Sequence, residues 1–209
     1  MRYNKFLFIF IVVCIYFFSA CKQLKVNEEA IFDPQNKESE QILTEFEQIG
    51  GKVDQIFQKR NFLVELYYQE NNSDELVLTP SLNDLSVDKL KIYYNIIRYE
   101  DGKLMYAAEF PLSKSGDWDI IYESFFDDKG NLVAFTRKCS FFNSGCADIA
   151  REKSEYFYTP SHKLIKKTYL IMDGNDKPLR YQDCVFNYRF PYTIYKTTKQ
   201  WLKHHPIKK

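Results

Sequence analysis

Apolar residues recur at helical spacing in the first part of the chain. From Ile42 to Val53 they stand three or four residues apart, and polar residues fill the positions between them. This spacing predicts an amphipathic helix. Asp33-Pro34 supplies a suitable N-cap and first residue. The stripe continues through Gly50-Gly51 and beyond, so residues 33–69 are predicted to be helical.

From residue 90 the pattern changes to runs of β-branched and aromatic residues, such as Ile92–Tyr99 and Trp118–Phe126, separated by short turns. The turns carry Gly, Pro, Asn or Asp, and no helical pattern lies between the runs. Residues 90–197 are therefore predicted to form an antiparallel meander of about eight strands, the last two at 179–190 and 192–197. The predicted fold class is α+β, with the N-terminal helix packed on a curved sheet in a single domain, residues 33–209.

A short motif recurs at the predicted turns. Tyr99–Leu104 matches Phe126–Leu132 with one insertion, and Tyr158–Leu164 has the same outline without glycine. Any regular set of hairpins would produce this pattern. Residues 90–170 also resemble the hairpin units of MORN-like and YD-type repeat proteins. Some of those relatives are immunity proteins or surface binders, so the resemblance implies a binding role and assigns no individual residue.

The chain begins with a basic, then apolar, then small-residue pattern. Arg2 and Lys5 precede the uncharged run Phe6–Phe18, and Ser19-Ala20 leads to Cys21. The run has the length of a signal-peptide core and is shorter than a membrane span. The pattern resembles the lipobox of bacterial lipoproteins. An ordinary cleaved leader and an uncleaved helical anchor are the alternatives.

The lipoprotein resemblance implies that residues 1–20 are removed as a signal peptide and that Cys21 is acylated. Residues 21–32 would then tether the domain to the membrane. Lys22 stands where an Asp would signal retention at the inner membrane. The resemblance therefore implies a lipid anchor in the outer membrane of a Gram-negative bacterium, on its periplasmic or its outer side.

An exported chain meets an oxidising compartment, where disulfides persist. Cys139 and Cys146 flank a stretch that is typical of a hairpin loop, and opposed strand residues lie within disulfide range. A Cys139–Cys146 disulfide is therefore predicted. The alternatives are a pairing with Cys184 or three buried thiols. The cysteine and histidine spacing does not favour a zinc site.

The chain is almost neutral, with 29 basic and 28 acidic residues, which implies neither nucleic acid nor an anionic surface as a partner. The C-terminal lysines, with His204 and His205, are typical of a solvated tail. Aromatic residues make up 17% of the chain. Most are expected in the core or in cross-strand pairs, and an exposed patch of them would suit a protein or a sugar.

The sequence contains no motif for phosphate binding, nucleophilic catalysis or metal-dependent hydrolysis, so no catalytic, cofactor or metal residue is predicted. The leading hypothesis is a non-catalytic envelope lipoprotein that binds a protein or another envelope ligand, with an immunity role as a special case. The second is a carrier of lipids or lipoproteins with an apolar cavity under the helix. The third is a hydrolase that uses the carboxylates of Asp119 and Glu123, which are predicted to share a strand face.

Overall fold

The computed structural model describes residues 37–59, 63–83, 85–186 and 191–208. The predicted signal peptide, Cys21 and the tether lie outside these residues. The described chain forms helix α1 (Lys37–Gln58), helix α2 (Thr198–His204) and short 3-10 turns at Val87–Lys89 and Tyr181–Asp183. The strands are β1 (Val64–Glu70), β2 (Val77–Leu78), β3 (Leu90–Arg98), β4 (Leu104–Pro111), β5 (Trp118–Phe126), β6 (Leu132–Phe142), β7 (Ile149–Tyr158) and β8 (Leu164–Asp173).

All the strands belong to one eight-stranded sheet in the order β2-β1-β3-β4-β5-β6-β7-β8. Every neighbouring pair is antiparallel. From β3 to β8 each strand pairs with its successor in sequence, as short turns require. The predicted antiparallel sheet is confirmed, but the meander within the described part of residues 90–197 has six strands, and β1 and β2 bring the sheet to eight. An α-helix that runs without a break through Gly50-Gly51 is also confirmed.

The predicted helical region 33–69 is too long. Helix α1 ends at Gln58, and Val64–Glu70 is strand β1. Tyr67 and Gln69 are buried while their neighbours are more exposed, which is the two-residue period of a strand. Backbone N–H and C=O groups of β1 are paired with those of β3 along the length of the strand, so the backbone is satisfied without a helix.

The two strands predicted at 179–190 and 192–197 are also wrong. The described residues of both ranges contain no strand. After β8 the chain first runs along the edge of this strand, with a bridge from Met172 to Pro178 and a hydrogen bond from Leu179 N to Ile171 O. It then leaves the edge and crosses a face of the sheet. We call residues 178–186 and 191–197 the C-terminal segment.

The two faces of the sheet carry two separate apolar clusters. On one face, Ile42, Ile49 and Val53 of α1 are buried in a cluster with residues of β3 to β8. On the same face, Phe46 meets the rings of Phe125 and Phe157 edge-to-face, with centroids 5.1 and 5.2 Å away. The other face is covered by Trp201 of α2 and by the C-terminal segment. We call these the α1 face and the α2 face.

The recurring motif corresponds to one turn geometry. In the turns that start at Tyr99, Asp127 and Thr159, the first residue's N–H bonds the fifth residue's carbonyl, and the fourth residue's N–H bonds the first residue's carbonyl. The fourth residue has positive φ in each, at Gly102, Gly130 and His162. The equivalent of Tyr99 is thus Asp127, and the insertion in the predicted alignment is unnecessary.

Gly130 also lets α2 approach the sheet. Its φ is +84°, and a Cβ there would lie 2.6 Å from Thr198 Oγ1. Thr198 N donates to Gly130 O at 2.9 Å, and the hydroxyl of Thr197 accepts from Gln200 N as the N-cap of α2. A side chain at position 130 would therefore displace the first turn of α2.

Candidate functional site

A row of polar and aromatic side chains crosses the α2 face from β1 to β8. Its members are paired directly across each pair of strands, so their side chains point to the same side of the sheet. The row is Tyr67, Tyr94, Glu109, Tyr122, Arg137, Ser154 and Tyr169. The middle of this row is the floor of the candidate site.

The C-terminal segment lies over this floor. The ring of Tyr192 stacks on Tyr122 and on Phe135, with centroids 5.3 and 5.4 Å apart. Its hydroxyl lies 3.2 Å from the hydroxyl of Tyr156. Burial raises the pKa of Tyr122 and of Tyr192 to about 12. Both phenols are therefore neutral at physiological pH and can serve as hydrogen-bond donors.

Helix α2 supports the floor from the side. Trp201 is fully buried, and its Nε1 donates to Glu109 Oε1 at 3.2 Å. The ring of His205 stacks on Trp201 at 4.2 Å, and its Nε2 lies 3.7 Å from Glu109 Oε2. These contacts hold the Glu109 carboxylate in one orientation.

Between the floor and the C-terminal segment is a half-open cleft of about 560 Å³, a normal size for a small-molecule site. We call it the aromatic cleft. Its main apolar lining consists of Ile92, Pro111, Trp118, Tyr122, Tyr192 and Tyr195. Its polar lining consists of Asn71, Lys91, Glu109, Lys114 and Thr193. Glu109 is the only acid among the described lining residues.

A buried ion pair stiffens the floor beside the cleft. Arg137 donates to Glu152 at 2.6 Å, and both side chains are nearly buried. The guanidinium also lies under the Tyr192 ring, 5.8 Å from its centroid. Removing either partner would leave a buried charge without its counter-ion, which is unfavourable. The pair therefore favours the observed position of β6 beside β7.

A disulfide anchors the C-terminal segment, and it is not the predicted one. Cys146 is bonded to Cys184, with Cα atoms 4.8 Å apart. Cys139 is a free, buried thiol in β6, opposite Ile120. The β6–β7 ladder continues to Phe142, so Cys146 lies in the loop beyond it and cannot face Cys139. Burial raises the pKa of the Cys139 thiol and makes it a poor nucleophile.

The C-terminus is not the predicted solvated tail. His205 is only 7% exposed and lies among the rings of Tyr94, Tyr195 and Trp201. The chain then pairs with the loop before β2, where Lys208 N donates to Leu76 O. Thr197 as an N-cap, with Trp201 and His205 on one helical face, was the available signal for α2.

The predicted carboxylate pair lies away from the cleft. Glu123 is on the α1 face, where its carboxylate accepts from Tyr106 at 2.9 Å and pairs with Lys138 at 2.7 Å. Asp119 is on the same strand face, and neither residue lines the aromatic cleft. Glu123 is held in an ion pair with Lys138 away from the cleft, so the geometry does not favour the hydrolase hypothesis.

The effect of burial on Asp119 at its position on the α1 face can be tested by pH. Burial raises its pKa, so the folded state holds the proton more tightly than the unfolded chain does. Its charge therefore costs stability above the folded pKa, and the cost disappears below the unfolded pKa of about 4. Asp119→Asn should raise the melting temperature at about pH 7 and leave it unchanged at about pH 3. The exposed Asp148→Asn is the control, and equal effects of both variants would contradict this effect of burial.

Comparison with known proteins finds no matching family model, no matching curated protein and no matching solved structure. Within the described ranges, no cluster of three or more His, Cys, Asp or Glu side chains could hold a metal ion. No helix in the described part of the chain is both long and apolar enough to cross a membrane.

Proposed function

We propose that this protein is a non-catalytic binding lipoprotein of a Gram-negative envelope and that the aromatic cleft holds its ligand. The observation that carries the proposal is the cleft itself, whose walls come from the sheet and from a disulfide-anchored segment. Concave sites with aromatic walls and a few fixed polar groups are typical of ligand binding. The anchor would be the acylated Cys21, with the outer membrane as the location.

In this proposal the α1 face provides the scaffold. Helix α1 packs on a curved sheet, and contacts such as those of Phe46 with Phe125 and Phe157 make the two act as one body. These ring contacts lie under the helix, where the carrier hypothesis places its apolar cavity. The cleft lies on the opposite face, which favours the binding hypothesis over a lipid carrier.

The test is capture of the ligand by the native protein. The full chain, tagged at its C-terminus, is extracted gently in detergent from its own cells, and bound proteins and small molecules are identified by mass spectrometry. We expect a stoichiometric ligand that is lost in Tyr192→Ala and retained in Tyr181→Ala. Tyr181 is the matched control, because it is 44% exposed, lies in the same segment and is outside the cleft. The intact mass reports acylation of Cys21.

A ligand retained equally by wild type and Tyr192→Ala would contradict the cleft as the binding site. Bound lipid that is lost on Phe46→Ala and kept on Tyr192→Ala would favour the carrier hypothesis. Thermal unfolding of each variant shows whether the fold is intact, so that loss of ligand is not confused with loss of structure.

A further inference from the structure

We infer that the aromatic cleft takes a neutral saccharide, an inference that rests on the proposed function and names its ligand class. It depends on which charged and aromatic groups line the cleft and where they stand. The charged groups disfavour ionic ligands, and the polar groups disfavour acyl chains. The aromatic rings favour a ligand with flat C–H faces.

The cleft is lined by charged side chains of both signs. Glu109 lies at the floor with its side chain 16% exposed, and Lys91 and Lys114 stand exposed at the mouth. An anion that entered would approach the floor carboxylate, and a cation would pass the two lysines. The lining carries two lysines and one carboxylate, but the lysines are exposed and screened by solvent. The carboxylate already accepts from Trp201, so the lining favours an ionic ligand of neither sign strongly.

The polar side chains of the lining also disfavour a hydrocarbon chain as the ligand. Asn71, Glu109 and Thr193 contribute to the lining together with the two lysines. An acyl chain would desolvate some of these groups without giving them hydrogen bonds, which is unfavourable. A polyhydroxylated ligand replaces the lost water contacts with hydrogen bonds to the same carboxylate, amide and hydroxyl groups.

The rings supply the remaining feature. The Tyr192 ring is held parallel to Tyr122 and Phe135, with interplanar angles of 29° and 12°, and is 38% exposed. An aromatic face carries partial negative charge, so it attracts the polarised C–H groups on the face of a sugar ring. Trp118 and Tyr195 line the same cleft. A preordered ring surface with mixed hydrogen-bonding groups suits a short oligosaccharide.

The experiment titrates the purified full chain in detergent with oligosaccharides that are equal in length and different in charge. The neutral probes are the hexamers of N-acetylglucosamine, of β-1,4-glucose and of α-1,4-glucose. The charged probes are the glucosamine hexamer, which is cationic, and a galacturonic acid hexamer, which is anionic. Binding is measured by calorimetry and by tryptophan fluorescence, to which Trp118 in the cleft and Trp201 behind Glu109 both contribute.

We expect at least one neutral hexamer to bind more tightly than both charged hexamers. Its Kd should change less than about twofold between about 50 mM and about 500 mM salt, because no charge pair forms. Tyr192→Ala should raise that Kd about tenfold or more, as for a central aromatic contact. Tyr192→Phe keeps the ring, and the double variant Lys91→Gln, Lys114→Gln keeps the rings and the carboxylate. Both should stay within about threefold of wild type.

Two results would overturn the inference. One is the absence of binding by all three neutral hexamers, and the other is tighter, salt-sensitive binding of a charged hexamer. The native-ligand capture separates this failure from that of the proposed function. If Tyr192→Ala still loses a native ligand, the cleft binds a ligand of another class. If no ligand depends on Tyr192, the cleft is not the binding site.

Discussion

Replacing Trp201 with alanine is expected to lower the free energy of unfolding by about 3–5 kcal/mol, the range for a fully buried large aromatic residue. Trp201 is 0% exposed and lies against the rings of Tyr94 and His205. Its removal also leaves Glu109 Oε1 without the indole N–H that it accepts. Because α2 closes the α2 face of the sheet, the aromatic cleft should lose its ligand together with the helix.

Urea denaturation followed by circular dichroism measures this loss. Lys203→Ala, at an exposed position of the same helix, is the control and should change stability by less than about 0.5 kcal/mol. Trp201→Phe keeps one six-membered ring and removes the N–H that Glu109 accepts, so its loss should be smaller than that of Trp201→Ala. A Trp201→Ala protein as stable as wild type would show that α2 is not docked on the sheet.

The strands from β3 to β8 could be predicted from sequence because their turns and their pairing depend on residues that are close in sequence. The same five-residue geometry closes the turns at Tyr99, Asp127 and Thr159, and two of the three place Gly at the position with positive φ. The side-chain oxygen of Asp127 accepts from the backbone N–H of Lys129 and Asn131, which is a property of the turn residues themselves. Antiparallel pairing of successive strands follows from such turns.

The errors arose where distant contacts decide the structure. Leu63 and Tyr67 fit a helical stripe, yet Tyr67 pairs with Tyr94 in the neighbouring strand. The residues from 179 to 197 are rich in β-formers and read as strands for that reason. Phe186 and Tyr192 instead pack on the face of the sheet, Phe186 on Phe141 and Tyr192 on Tyr122 and Phe135. Aromatic residues suit both environments, so propensity cannot separate them.

The candidate site was missed for the same reason. Glu109, Tyr122 and Tyr192 belong to three separate parts of the chain and meet only because the strand register aligns the first two. From the sequence, an exposed patch of aromatic residues was a possible binding surface. The sequence could not show which residues would form it, because the cleft depends on where the C-terminal segment crosses the sheet.

Removing the Cys146–Cys184 disulfide is the other change with a large expected effect. The bond closes a loop with a sequence separation of 38 residues. The chain-entropy model gives about 4 kcal/mol for a loop of this size, and measured losses for native disulfides are about 2–5 kcal/mol. The double variant Cys146→Ser, Cys184→Ser should therefore lower the free energy of unfolding by about 2–4 kcal/mol. Non-reducing peptide mapping of the wild type should show this pair and a free Cys139.

Without the disulfide, the C-terminal segment should lose its structure before the rest of the domain does. Beside the bond, Val185 N donates to Ser144 O at 2.7 Å, and Phe186 packs on Phe141 with ring centroids 4.8 Å apart. Without the bond, hydrogen exchange should become faster at Val185 and remain slow in β5 and β6. Cys139→Ala removes a thiol outside the bond and should leave exchange at Val185 unchanged. A loss of Val185 protection in Cys139→Ala as large as that in the double variant would instead support the Cys139–Cys146 pairing predicted from sequence.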